Sequence, residues 1–96
     1  MYIKSQNGFT LCNMANIICL HIQRSSDESA IIAETITGNK ITLGSYNSSK
    51  RCREILYVIE IELQNECYTT DVYDHAASAS IPRIGMKNTV FTMPEK

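Results

Sequence analysis

The sequence predicts an α+β domain, in which a small antiparallel sheet of about five strands carries one packed amphipathic helix and is followed by a short C-terminal strand. Three observations predict it. The first 46 residues mix β-branched side chains with turn chemistry, one later window has helical apolar spacing, and a β-prone Val90-Phe91 pair stands near the end. With 96 residues the chain holds one core, so residues 1–96 are expected to form a single domain.

Residues 2–5 and 9–12 flank Gln6-Asn7-Gly8, and an Asn-Gly pair supplies the positive φ angles of a tight hairpin. Residues 17–23 alternate, with Ile18, Leu20 and Ile22 on one face and Cys19, His21 and Gln23 on the other, the pattern of a half-buried strand. The polar run RSSDES at 24–29 is a hairpin tip, after which 30–37 resumes a β pattern with Ile32, Glu34 and Ile36 on one side. A turn at Gly38-Asn39 leads into 40–43, where Ile41 and Leu43 point inward and Lys40 and Thr42 outward. Residues 1–46 therefore predict a strand meander.

Two periods compete in NSSKRCREILYVIEIELQNEC. Residues 58–63 alone alternate like a strand, but Cys52, Ile55, Leu56, Ile59 and Leu63 share one helical face, and Ser48 or Ser49 can cap the first-turn amides. Length and the cap predict a helix over 49–65, with Val58 and Ile61 widening its apolar face. Periodicity fades over 68–87, where AASAS and IPRIG predict a long loop, and such a loop in a small domain is usually functional or disordered. Residues 88–94 predict the terminal strand, with Pro94 ending it or confining it to an edge.

Nine cations face ten carboxylates for a net charge of -1, which gives no drive toward nucleic acid or an anionic membrane surface. No apolar run approaches membrane-spanning length, and MYIKSQNG lacks the basic and apolar regions of a secretory leader, so a cytoplasmic protein is expected. Cys12, Cys19, Cys52 and Cys67 form no CxxC or zinc-finger spacing. They are expected to be small buried hydrophobes, with Cys67 the most exposed. There is no GxSxG elbow, no Walker loop and no Cys/His pair close in sequence, so no catalytic residue and no cofactor are expected.

Two stretches are candidate binding sites. At the helix start Ser48, Ser49, Lys50, Arg51 and Arg53 join hydroxyls, free amides and three cations, a composition that suits a phosphate, a nucleotide or an acidic partner surface. The same cations oppose the helix macrodipole, as do Glu60, Glu62 and Glu66 at the other end. In DVYDH, Asp71 and His75 are spaced to share a helical face, but two ligands are too few for a metal, and no metal site is expected. Tyr68, Asp71, Tyr73, Asp74 and His75 instead compose a partner-binding loop, since tyrosine pairs an apolar ring with a polar tip. Several strands carry apolar or neutral residues on both faces, and one helix covers only one of them. The other is left for the 68–87 segment, for a partner or for a second protomer, the homodimer being the expectation favoured.

Three segments carry a family resemblance: MYIKSQ at the start, KITLGSYNSSKRCREIL in the middle and VFTMPEK at the end. They resemble a family of small uncharacterised proteins of Gram-positive bacteria and their phages or prophages. In that family the opening is M-Y-I-[RK]-S-Q, a strand ending L-G-x-Y runs into a capped helix, and the terminus is V-F-x-M-P. Residues 64–87 have no counterpart in it. The resemblance implies a phage or mobile-element setting and brings no catalytic residue. Small proteins of such settings often inhibit host machinery, anti-defence proteins among them. The implied role is non-enzymatic binding that inhibits or modulates a host protein or protein complex. The alternative is a dimeric protein that sequesters a small anionic ligand or nucleotide.

Overall fold

The structure is a computed structural model that describes residues 1–65, 67–74, 79–86 and 89–96, with side chains for 1–65 and 89–96. In chain order it has strands β1 (Tyr2–Lys4), β2 (Leu11–Asn13), β3 (Ile17–Arg24), β4 (Ser29–Thr35) and β5 (Lys40–Tyr46). Helix α1 (Ser49–Gln64) follows, then strands β6 (Cys67–Asp74), β7 (Ala79–Met86) and β8 (Val90–Thr92). The class is α+β, as the sequence predicts. The expected single meander is instead divided: β2-β1-β8 form one three-stranded sheet, β3-β4-β5 a second, and β6-β7 a two-stranded ribbon.

The first hairpin forms around its Asn-Gly pair. Gly8 takes φ +80° and its amide donates to the Ser5 carbonyl at 2.9 Å. The Asn7 side-chain oxygen accepts from the Phe9 amide and the Ser5 hydroxyl, which fixes the turn from within. The division into two sheets begins after β2. There the Asn13 side chain accepts from the Ala15 amide and caps a 3-10 turn over Met14–Asn16, which carries the chain away before β3 starts. The place beside β1 is taken by β8, which runs parallel to it with Ile3 opposite Phe91.

A bulge between Ile17 and Cys19 shifts the β3–β4 register. It carries Ile18 off the apolar face, where it is 62% exposed, while Ile17, Leu20 and Ile22 pack toward the core. That corrects the predicted Ile18, Leu20, Ile22 face by one residue. In β4, Ile31 and Ala33 enter the core and Ile32 is buried on the opposite side. A second bulge between Ile31 and Ile32 in the β4–β5 pairing leaves the Leu43 carbonyl to accept from the Gln6 amide at 2.7 Å. Gly44 is required here by close approach, because a Cβ would lie 2.8 Å from the Tyr46 hydroxyl oxygen.

Helix α1 starts where the serine cap predicts and lies against the β3-β4-β5 sheet. It buries Cys52, Ile55 and Ile59, with Leu56 partly covered, while Leu63, predicted for the stripe, is 37% exposed one turn beyond the sheet contact. The core draws on both sheets, the helix and the tail: Ile3 and Cys12, Ile31, Ala33, Leu43 and Tyr46, the three helix residues, and Met93. Each fully buried isoleucine among them contributes about 1.5–3 kcal/mol.

The predicted long loop at 68–87 is corrected. Most of it is antiparallel strand, paired from Cys67↔Met86 to Asp74↔Ala79. Pro82 is tolerated because each strand of a ribbon keeps an unpaired edge on which no amide donor is needed. The terminal strand is present, shorter than the predicted 88–94, and ends before Pro94.

Candidate functional site

The helix start forms as a cap and a guanidinium cluster. Ser48 has extended backbone and its hydroxyl accepts from the Arg51 amide at 3.1 Å, so this oxygen is engaged as the helix N-cap. The Arg51 guanidinium donates through Nε and Nη2 to the Lys96 carbonyl at 3.0 and 2.9 Å. Its Nη1 meets the Glu54 carboxylate at 3.3 Å. Ser49 is half-buried, and Lys50 and Arg53 stand exposed. Beside them Ser45, Tyr46, Asn47, Arg51, Glu95 and Lys96 line a recess of about 420 Å³. Of the five predicted residues, Ser48 and Arg51 are committed to intramolecular bonds, and Lys50 and Arg53 carry the cationic surface.

The second predicted group lies mostly on β6, where Tyr68 pairs with Gly85, Asp71 with Pro82, Tyr73 with Ser80 and Asp74 with Ala79. His75 lies outside the described residues, as do the side chains of the other four. The backbone alone changes their setting, from a loop to a strand of defined register.

A third group was not visible as a motif. The two-residue alternation of β3 puts Cys19 and His21 on the outer face of the β3-β4-β5 sheet, and Glu34 on β4 is paired directly with Cys19. Their ligand atoms, one sulfur, one nitrogen and one oxygen, lie within 4.8 Å of one another. The Cys19 thiol reaches the Glu34 Oε2 at 3.6 Å. Partial desolvation and the neighbouring Glu34 carboxylate push this thiol up from its ordinary range, with Lys40 pulling the other way. Lys40 is paired with Glu34 from β5. Cys19 is exposed, against the expectation of a buried thiol, while Cys12 and Cys52 are buried as expected. The Cys-x-His alternation was legible, but its carboxylate partner depends on a strand register that a bulge has shifted.

Among the described residues no helix is long and apolar enough to cross a membrane. Comparison of the chain with protein-family models, with curated proteins and with solved structures found no match.

Proposed function

We propose that the chain is a non-enzymatic binding protein of a phage or mobile-element setting, which modulates a host protein or complex through its β6–β7 ribbon. The observation that supports this reading is the ribbon's isolation: its strands pair with each other and with neither three-stranded sheet. Each eight-residue strand therefore keeps one edge of backbone donors and acceptors outside any ladder, and such an edge is a template for an extended partner segment. The molecule measures 63 × 27 × 20 Å with a radius of gyration of 17.5 Å, against about 12.5 Å for a compact chain of this length. At eight residues, each strand of the ribbon is about 26 Å long. Tyr68 and Tyr73 stand on it at positions paired with small residues.

Because Cys67 and Met86 are paired, a short Gly-Ser linker from residue 66 to residue 87 removes the ribbon without moving its ends. Affinity capture from a Gram-positive host lysate identifies the partner, and titration of that purified partner compares the two chains. The ribbon-less chain is expected to melt cooperatively and to bind at least tenfold more weakly. Equal binding by both chains overturns the proposal. A melting shift with nucleotide, lost when Lys50, Arg51 and Arg53 are changed to alanine, supports the anion-sequestering dimer instead.

A further inference from the structure

The geometry points to a zinc site on the outer face of the β3-β4-β5 sheet, with Cys19, His21 and Glu34 as its three protein ligands. Two of them share one strand face by alternation and the third faces Cys19 across the ladder, so backbone pairing holds all three Cα positions before any metal arrives. A tetrahedral Zn(II) bound by thiolate, imidazole and carboxylate at ordinary bond lengths sets its ligand atoms about 3.3–3.7 Å apart. The atoms already lie within 4.8 Å of one another, and the thiol and carboxylate are 3.6 Å apart. Side-chain torsion alone closes the remaining gap.

The donor set selects the metal. A thiolate with an imidazole excludes the hard cations, since Ca²⁺ and Mg²⁺ take oxygen ligands, and favours a borderline-soft divalent ion. Three ligands on an open face leave a fourth position for water or for a donor from a bound partner. Lys40 weakens the site by placing a positive charge beside Glu34. On binding, the thiol proton leaves to solvent and the Cys19 sulfur coordinates as thiolate. This site is independent of the ribbon and of what the ribbon binds.

The test is a Zn(II) titration of the reduced full-length chain against a competing indicator, with Co(II) as a spectroscopic stand-in. Binding of one equivalent is expected, with a thiolate-to-cobalt charge-transfer band. Cys19→Ser, His21→Ala and Glu34→Gln should each weaken it at least tenfold, and Lys40→Ala should tighten it. None of these side chains belongs to the core, so each variant should keep the wild-type melting curve without metal. Cys67→Ser and His75→Ala should leave affinity unchanged. Binding that survives Cys19→Ser, or that follows Cys67 or His75 instead, overturns the site, as does the absence of a cobalt–thiolate band.

Discussion

At the scale of single residues, the titrating groups of the core set how stability depends on pH. Burial pushes the Tyr46 phenol up, with Arg51 drawing it down and Cys52 adding to the rise. Burial alone pushes the Cys12 and Cys52 thiols above their ordinary value of 9.0. In each case the folded chain holds its proton at a pH where the unfolded chain has released it. The unfolded state then binds fewer protons, so stability falls as pH rises. The contribution is complete below about pH 9, and is lost progressively as pH climbs past the thiol and then the phenol range. Urea midpoints should be flat from pH 7 to pH 9 in this respect and decline toward pH 11. Tyr46→Phe should flatten the upper part of that decline, and a midpoint constant to pH 11 would contradict the assignment.

At the scale of elements, helix α1 forms against its own charge pattern. Its first turn has no acidic residue and its last turn no basic one, so the Ser48 cap and the buried Cys52, Ile55 and Ile59 face hold it. Lys50 is exposed and beside the positive pole, and Lys50→Glu should raise stability by about 0.3–1 kcal/mol at low salt, less at high salt. An unchanged or lowered urea midpoint at low ionic strength would count against this account. Elements whose signal is local were legible in the sequence: the Asn7-Gly8 hairpin, the serine-capped helix, the Gly38 turn and the Val90-Phe91 strand. What was not legible depends on partners distant in the chain. The β6–β7 ribbon lies in a stretch with no two-residue alternation to read. The bulge at Ile18 puts Ile17 in its place on the apolar face of β3 while Leu20 and Ile22 keep theirs, and the parallel β1–β8 pairing brings together strands far apart in sequence. The candidate site divides the same way, since the helix-start serines and cations stand in sequence while the Cys19–Glu34 pairing appears only with the register.

At the scale of the whole molecule, the opening, middle and closing segments of the chain meet one another, and what they build there is structural. Ile3 and Met93 share the core, Met93 donates its amide to the Lys4 carbonyl, and Gly44 lies against the Tyr46 ring. The Gln6 side-chain amide accepts from the Ser45 amide and donates to the Ser45 carbonyl, as a neighbouring strand would, and donates also to the Glu95 carbonyl at 2.9 Å. The Tyr46 hydroxyl donates to the Pro94 carbonyl at 2.7 Å. Gln6, in the β1–β2 turn, and Tyr46, at the end of β5, thus clamp adjacent tail residues, while the neighbouring Met93 is 2% exposed. Losing either clamp alone should cost about 1–3 kcal/mol, through an unmade bond and an unsatisfied partner. Because both act on one short tail, releasing it at one clamp removes part of what the other contributes. The double variant Gln6→Ala/Tyr46→Phe should therefore lose less than the sum of the single variants, by about 0.5 kcal/mol or more in a urea double-mutant cycle. Strict additivity would mean that the tail does not couple the two sheets, and that each sheet is held to the helix separately.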